Sequence, residues 1–265
     1  MLHRSRSSTW HRWCARGVCA GVLGLVSTLA SAEPATWSVC LDQADWPPHI
    51  RFVDGQPQGR HIALMRDAAA SIGVHLDFRA MPWVRCQLQA ELGDVDAIAP
   101  LVHSAARGEA FRFPPGAGEG PNRFAIDEID DVVITLAADG FSYRGQLAEL
   151  PRPVRVPRGW EIGRYLRGLG LDIDDGAPSD RANMLKLLRD GRGSVVATRD
   201  SAAQEIANTP MLSALNISTE PVRRLSYFLA FSRRTAIATT RQQAFWDAVA
   251  RLRTQVAEPA GPPPG

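Results

Sequence analysis

The segment ELGDVDAIAPL, residues 91–101, predicts the end of a helix followed by a buried strand. Gly93 suits the left-handed position that closes a helix, and the apolar run Val95–Leu101 has the length of a strand. Strand and helix also alternate in the residues before this segment. The predicted elements there are strands Trp37–Leu41, Ile50–Val53 and His75–Arg79, a hairpin turn at Asp54-Gly55, and helices Ile62–Ile72 and Arg85–Leu92. This alternation predicts an α/β fold with helices packed on a sheet.

The chain beyond residue 130 repeats the alternation. The predicted strands are Asp131–Ala137, Val154–Val156, Ser194–Thr198 and Leu225–Phe231, and the predicted helices are Glu161–Gly168, Ala182–Arg189 and Arg241–Val256. We place the boundary between two α/β halves near residues 124–130, after the Gly- and Pro-rich stretch Pro114–Pro121. Composition alone leaves open which half the last strand and helix join.

The N-terminus has the pattern of a cleavable secretory signal peptide over residues 1–32. Four arginines and no acidic residue precede the apolar run Gly17–Ala30, and Ala30-Ser31-Ala32 suits cleavage after Ala32. The apolar run is shorter than the roughly 20 residues that a membrane helix needs, although an uncleaved anchor is the alternative. The mature protein is therefore predicted to function in the periplasm.

Charge and length limit the function classes. Removing residues 1–32 takes away four of the 30 Lys and Arg residues and none of the 28 Asp and Glu residues, which leaves a formal net charge of −2. A mature chain without excess basic charge is not expected to bind nucleic acid. Its length suits one large domain or two small lobes.

Two of the four cysteines, Cys40 and Cys86, remain after cleavage. An even pair in an oxidising compartment indicates a disulfide, and two buried free thiols are the alternative. No histidine lies at ligand spacing from either cysteine, so no metal site is predicted.

Several short motifs follow one another along the mature chain. They are Asp45-Trp46-Pro47-Pro48, Asp54-Gly55 with Gly59, Pro82-Trp83 with Arg85, Gly93-Asp94-Val95-Asp96-Ala97, Arg107 with Phe113-Pro114, and Leu225–Phe231. In this order and spacing the chain resembles the bacterial extracellular solute-binding proteins of the amino-acid-binding kind, which have the type 2 periplasmic binding protein fold. The resemblance covers nearly the whole mature chain.

The resemblance implies two lobes, each a sheet flanked by helices, that are joined by hinge strands and close on a small solute. Lobe 1 would comprise residues 33–125 and 223–256, lobe 2 residues 126–222, and residues 257–265 would form a flexible tail. A monomer without a cofactor is expected, with an ABC transporter permease or a membrane sensor as partner. The positions of Cys40 and Cys86 are similar to those in a subgroup of the family, which favours the disulfide.

The family's motifs also assign roles to charged residues. Arg107 falls where the family's arginine grips the ligand α-carboxylate, a role that suits the two parallel hydrogen bonds of a guanidinium. Asp200 falls near the acid of the second lobe that pairs with the ligand amino group. A surface arginine and an exposed helix-capping aspartate are the alternatives.

Trp46 and Trp83 match aromatic positions that sandwich the ligand, where an indole face offers apolar area and attracts cations. Trp160, at a predicted helix start in the second lobe, is a candidate for the opposite wall of the cleft. Each of these aromatic residues could instead belong to a hydrophobic core.

Arg85 is a candidate second cation at the cleft rim, or a solvated residue on its helix. The chain departs from the family before Arg107, where Ser104 is the one matching hydroxyl in Pro100-Leu101-Val102-His103-Ser104. Fewer polar partners leave room for an aromatic or more apolar acid as well as an amino acid.

No sequence motif for catalysis occurs in the chain, and its four mature histidines show no metal-ligand spacing. A non-enzymatic binding protein is therefore predicted. The alternative is a periplasmic cyclohexadienyl-type dehydratase, which the resemblance also includes and which would need an acid or base such as Asp45, His49 or His103.

Overall fold

A computed structural model of the protein describes residues 34–257. The predicted signal peptide, residues 1–32, lies outside the described residues, as does the predicted tail apart from Ala257. Within residues 34–257 there are eleven strands and seven α-helices. The strands are β1 (Ala35–Asp42), β2 (Arg51–Val53), β3 (Gln56–Gln58), β4 (Val74–Met81), β5 (Ala97–Val102), β6 (Phe111–Arg112), β7 (Asp127–Leu136), β8 (Val154–Arg155), β9 (Ile173–Asp174), β10 (Ser194–Thr198) and β11 (Leu215–Ser232). The helices are α1 (Arg60–Ala70), α2 (Trp83–Leu92), α3 (Ala105–Ala110), α4 (Glu161–Gly168), α5 (Asp180–Asp190), α6 (Arg199–Asn208) and α7 (Thr239–Ala257).

Nine strands form one mixed sheet in the order β4-β1-β5-β11-β7-β10-β8-β9, with β6 paired to β11. β1 is parallel to β4 and β5, and β8 is parallel to β9 and β10. The two longest strands, β7 and β11, are antiparallel to each other and lie between these parallel groups. We call the half with β1, β4 and β5 lobe 1 and the half with β8, β9 and β10 lobe 2. This is the predicted α/β architecture of two lobes joined by hinge strands.

Lobe 1 buries both faces of its strands. Since successive side chains of a strand point to opposite sides, one strand contributes to two cores. In β1, Val39 and Leu41 join a core with α1 and α7, whereas Cys40 joins a second core with α2. Phe245 and Val249 of α7 lie in the first of these cores. The C-terminal helix therefore packs in lobe 1, a question that composition left open.

β11 is a hinge strand that begins in lobe 2 and ends in lobe 1. Leu215 packs in a core with residues of α5, and Phe228 pairs with β5. The predicted strand covered only Leu225–Phe231, because the first half of β11 is polar and contains a proline. Pro221 lies between two shifts of register with β7, and at such irregularities a residue without an N–H is tolerated.

The other predicted elements are found, with differences at their ends. α2 begins two residues before the predicted start, and β7 begins at Asp127, four residues early. The hairpin turn at Asp54-Gly55 is confirmed, since both residues have the positive φ that a type I′ turn requires. The predictions missed α3, β6, β9 and α6, which are short or have few apolar side chains other than alanine.

The predicted lobe boundaries, after residues 125 and 222, fall just before β7 and inside β11. The assignment of the residues around them to one lobe or the other stays a prediction. Among the described residues, no helix combines the length and the apolar character needed to cross a membrane.

A disulfide joins Cys40 of β1 to Cys86 of α2, with 5.7 Å between their Cα atoms. Both cysteines are fully buried. The predicted disulfide is therefore confirmed, and the alternative of two buried free thiols is wrong. The bond ties the central strand of lobe 1 to the helix that begins at Trp83.

Candidate functional site

A small cavity lies where the two lobes meet. Its volume is about 50 Å³, which is space for only a few water-sized molecules. Side chains of both lobes line it: Asp42, Ala44, Trp46, Ile50, Trp83, Pro100, Val102, Arg107, Asp131, Trp160, Glu161, Ile162, Arg223, Leu225 and Tyr227.

Aromatic rings make up much of the cavity wall. The centroids of Trp46 and Trp160 lie 5.4 Å apart with the rings nearly perpendicular, and Tyr227 lies 5.3 Å from Trp46. Trp83 is also buried and lines the cavity from the start of α2. The structure thus brings together the three tryptophans that the sequence analysis singled out, in contact with the cavity rather than in a lobe core alone.

Gly159 allows the two lobes to approach closely beside this aromatic wall. Its φ is +74°, and a Cβ atom at this position would lie 2.9 Å from Val84 and 3.5 Å from Trp83 of the opposite lobe. A side chain would therefore meet a steric clash as well as backbone strain. The glycine places Trp160, the next residue, directly against lobe 1.

Arg107 lies in α3 with only 5% of its surface exposed. Its Nη1 donates to the carbonyl oxygen of Val102 at 3.0 Å, and its Nη2 donates to Gln87 at 3.3 Å. Its Nε atom is buried and has no hydrogen-bond partner among the described residues. Burial lowers the pKa of this guanidinium to about 10, and the nearby Glu161 carboxylate partly opposes the shift. Arg107 is thus a buried cation facing the cavity with donor capacity to spare.

Glu161 of lobe 2 supplies a negative charge opposite Arg107. Its carboxylate lies 3.8 Å from Nη1 of Arg107 and accepts a hydrogen bond from Arg164 at 2.9 Å. The sequence analysis did not single out Glu161, because an acidic residue in the first turn of a helix is common for reasons of helix stability alone. Only its position across the cavity from Arg107 distinguishes Glu161 from other acidic residues at helix starts.

The remaining charged residues of the wall were also missed by sequence reasoning. Asp131 is buried and pairs with Arg223 at 2.9 Å, and burial raises the pKa of its carboxyl group. Asp42, at the end of β1, has its pKa raised to about 6 by burial, against which hydrogen bonds from Ala44 and Trp160 act. Asp42 can therefore change its charge state near neutral pH.

A chain of hydrogen bonds crosses from lobe 1 to a buried acid of lobe 2. The Trp46 indole N–H donates to the hydroxyl of Thr198 at 2.8 Å, and this hydroxyl donates to Asp180 at 3.0 Å. Asp180 is 2% exposed, and one of its carboxyl oxygens has no partner among the described residues. Burial raises the pKa of Asp180 to about 7.

We expect Asp180→Asn to stabilise the protein increasingly as the pH rises from about 4 to 7. Folded Asp180 keeps its proton up to a pKa of about 7, whereas in the unfolded chain it ionises near 3.8. The free energy of unfolding of the wild type therefore falls over this interval, by on the order of 2–4 kcal/mol. The neutral amide of Asp180→Asn does not ionise and avoids that loss. The measurement is the free energy of urea unfolding of both proteins from pH 4 to 8.5, with exposed Asp67→Asn as the control. Parallel curves for Asp180→Asn and the wild type would contradict the expectation.

The structure places the other predicted site residues outside the cavity wall. Ser104 caps α3 by accepting a hydrogen bond from the backbone N–H of Arg107 at 3.4 Å, so its contact with the site is indirect. Arg85 is exposed on α2. Asp200 is half-buried and pairs with Arg60 of lobe 1. Among the described residues, these three are not part of the cavity lining.

The residues considered for enzyme chemistry are not among the residues that line the cavity, as far as residues 34–257 show. Asp45 is exposed and accepts a hydrogen bond from the backbone N–H of Phe52. His103 packs edge-on against Phe113, with 4.9 Å between the ring centroids. His49 packs against Trp46, with 4.1 Å between the ring centroids.

His49 belongs to a cluster that sequence spacing did not reveal. One ligand atom each of His49, His61 and Asp127 lies within 4.8 Å of the others, a spacing that could hold a metal ion. His61 and Asp127 are 66 residues apart in the chain, so only the packing of α1 against the start of β7 brings them together.

Comparison with known proteins identifies the family of this chain. The sequence model of the bacterial extracellular solute-binding proteins, family 3, matches residues 38–242. A comparison with curated protein sequences found no significant match.

Solved structures with the same fold include proteins of different roles. A histidine kinase sensor domain with similarity to periplasmic binding proteins has a TM-score of 0.69 and 20% identity, covering 85% of this chain and 93% of that one. An amino acid ABC transporter substrate-binding protein from Streptococcus pneumoniae, bound to L-arginine, has a TM-score of 0.67 and 17% identity, covering 84% and 90%. The GluR0 ligand-binding core from Nostoc punctiforme, in complex with L-glutamate, has a TM-score of 0.64 and 16% identity, covering 83% and 94%. At these identities the similarity shows the fold alone.

Proposed function

Because the chain belongs to the bacterial extracellular solute-binding proteins, family 3, we propose that it captures a small carboxylate-bearing solute between its lobes. The solute is an amino acid or a related polar or aromatic acid. The single observation that carries the proposal is Arg107, a buried guanidinium in the cavity wall with an unpartnered Nε. A carboxylate is the ligand that best matches the parallel N–H donors of a guanidinium.

Glu161 supports this assignment of Arg107. In the closed arrangement its carboxylate lies 3.8 Å from the guanidinium, so the protein itself places an anion beside Arg107. A solute carboxylate that enters when the lobes separate would take over this position and bind without the entropy cost of ordering the cation, which Val102 and Gln87 already hold.

The aromatic wall supports a solute with an apolar or cationic portion. Trp46, Trp83 and Trp160 offer flat apolar faces, and such faces also attract cations. Asp42 lies in the same wall and can supply a negative charge to an amino group above a pH of about 6. An α-amino acid carries a carboxylate that suits Arg107 and an amino group that suits Asp42.

Delivery to an ABC transporter is the physiological role that we favour. Solved structures of the same fold include a transporter substrate-binding protein, and that is the role proposed for this chain. Sensing is the second candidate, because a histidine kinase sensor domain shares the fold over most of both chains. A transporter permease or a sensor kinase gene beside this gene would discriminate the two roles.

We propose that the protein functions in the periplasm after cleavage of residues 1–32. The basic, then apolar, then small-residue order of the N-terminus supports this location. The Cys40–Cys86 disulfide supports it as well, because such bonds persist in oxidising compartments.

A thermal-unfolding screen of the mature protein tests the proposed function. We expect at least one amino acid or aromatic acid to raise the melting temperature by roughly 5–10 °C when present at about 100 times its Kd. The matched control for each hit is its amide or ester, which lacks the carboxylate and should give a much smaller shift. Equal shifts from acid and amide would contradict the carboxylate assignment, and conversion of a hit to product during incubation would favour the dehydratase.

A further inference from the structure

Arg60, at the start of α1, connects the two lobes outside the cavity. Its Nη2 donates to Asp200 of α6 in lobe 2 and forms an ion pair with Asp127 at the start of β7, at 2.7 Å. Its Nε donates to Nδ1 of His49 at 3.1 Å. One guanidinium therefore bridges lobe 1, a hinge strand and lobe 2.

Two buried histidines complete the surroundings of Arg60. His49 and His61 are 0% and 1% exposed, and their rings lie 4.6 Å apart. Nε2 of His61 lies 2.9 Å from the carboxylate of Asp127. For His49 to accept a hydrogen bond from Arg60, its Nδ1 must carry no proton. The hydrogen bond from Arg60 therefore requires a neutral His49.

A metal ion is the other cation that His49, His61 and Asp127 could hold. The guanidinium of Arg60 already contacts two of these three residues, since it donates to His49 and forms an ion pair with Asp127. Because its positive charge occupies the same side of the ligand atoms, a divalent cation would have to displace it against charge repulsion. The geometry therefore favours a receptor for the protein's own guanidinium.

We propose that Arg60 is an inter-lobe latch: it holds the lobes closed by bridging Asp127 and Asp200, and protonation of His49 releases it. Arg60 is a positioning residue, since it acts on closure and does not line the cavity. A proton on Nδ1 of His49 removes the acceptor for Arg60 and adds a positive charge next to it. The proposal concerns the unliganded protein and does not depend on which solute binds.

The direction of the pH effect follows from the groups around His49. These are Arg60 and His61 of α1, Asp127 of β7 and Asp200 of α6. Burial is the largest cause of a lowered pKa at His49, and the two aspartates oppose it. Since separation of the lobes would expose His49 to water, a proton binds the open form more readily, and acid therefore favours opening.

Trp46 connects the latch to the cavity. Its ring lies 4.1 Å from that of His49 and 5.4 Å from that of His61, and it also lines the cavity. Its indole N–H donates to Thr198 of lobe 2. A change at the latch therefore reaches the cavity wall that faces a solute. If the solute binds the closed form, a smaller fraction of closed protein gives a weaker apparent affinity for the solute.

Hydrogen–deuterium exchange of the unliganded mature protein tests the latch. Arg60→Gln is expected to reduce protection at pH 7.5 roughly two- to fivefold in peptides covering residues 42–50 and 198–208, the range for a partly exposed ion pair. Protection of α7 should not change, which separates opening from unfolding. The matched control is Arg79→Gln, because Arg79 is half-exposed and pairs only with nearby Asp77 among the described residues.

His49→Asn tests the proton dependence. An asparagine side-chain oxygen can accept from Arg60 where Nδ1 of His49 does, but it does not titrate. Between pH 7.5 and 5.5 the intrinsic-rate-corrected protection of these peptides should fall in the wild type and stay constant in His49→Asn. Unchanged protection in Arg60→Gln would overturn the latch, and a pH-independent wild type would overturn its release by protonation.

Zinc titration provides the remaining test. We expect one equivalent of Zn²⁺ to leave exchange in the wild type unchanged, because Arg60 occupies the cluster. Binding of Zn²⁺ with micromolar or tighter affinity that is lost in His61→Gln would show a metal site in place of the latch and would overturn the proposal.

Discussion

Replacing Arg107 by alanine is expected to weaken binding of the carboxylate solute that we propose by a large factor. Removing one partner of a buried, hydrogen-bonded charge pair costs about 2–5 kcal/mol, which corresponds to a roughly 30- to several-thousand-fold weaker Kd. Arg107 is 5% exposed and lies beside the cavity, so water cannot easily replace its donors. Isothermal titration of a hit from the thermal screen measures the effect.

Folding should survive this substitution. Glu161, the carboxylate opposite Arg107, keeps its hydrogen bond from Arg164 at 2.9 Å, so it does not become a buried charge without a partner. Arg79→Ala, an arginine that is half-exposed on lobe 1, is the matched control and should bind as the wild type does. A Kd for Arg107→Ala within threefold of the wild-type value would exclude Arg107 as the carboxylate receptor.

Glu161→Gln tests whether Glu161 competes with the solute for Arg107 or contacts the solute itself. If the Glu161 carboxylate competes with the solute for Arg107, its removal should tighten the affinity for an acid while leaving the affinity for the corresponding amide unchanged. Weaker binding of the acid would mean that Glu161 contacts the solute directly, through an amino group for example.

Removing the disulfide is expected to lower the free energy of unfolding by about 4 kcal/mol. The bond joins residues 46 positions apart, and a closed loop of this length restricts the unfolded chain by about that amount in the chain-entropy model. The variant is Cys40→Ala with Cys86→Ala, which keeps both buried positions apolar. Urea unfolding monitored by circular dichroism measures the difference.

The reductant dependence supplies the control for this prediction. The wild type in excess reductant should unfold with nearly the same free energy as the double variant, and the variant should not respond to reductant at all. A loss below 1 kcal/mol would mean that the bond contributes little beyond packing. A concurrent loss of solute affinity is also expected, because β1 carries Asp42 and α2 carries Trp83 into the cavity wall.

Much of the fold could be predicted from local sequence patterns. The αL cap at Gly93, the hairpin turn at Asp54-Gly55 and the buried strand β10 follow from short-range chemistry that each segment carries with it. The first half of β11 could not be predicted in this way. Its pairing with β7 accommodates a proline and polar residues because a long-range partner, not its own pattern, determines its conformation.

The residues of the candidate site show the same difference between local and long-range information. Trp46, Trp83 and Arg107 were found through motifs and Trp160 through its place at a predicted helix start, and all four line the cavity. The carboxylates opposite them were not found. An acid at a helix start or in a strand has ordinary local explanations, so nothing in its neighbourhood along the chain shows that it faces a cavity.

Residue types and motifs along the chain were enough to predict the α/β order of elements, the two-lobed family fold, the pair of cysteines that bond, and the arginine and tryptophans of the cavity. Each of these depends on residue type at short spacing or on a family motif. Two contacts are seen only in the folded molecule: Glu161 faces Arg107, and Arg60, His49 and Asp127 form one cluster with Asp200. Such contacts join residues of different elements, and the packing of the lobes against each other, rather than any local preference, sets the distances between their charges.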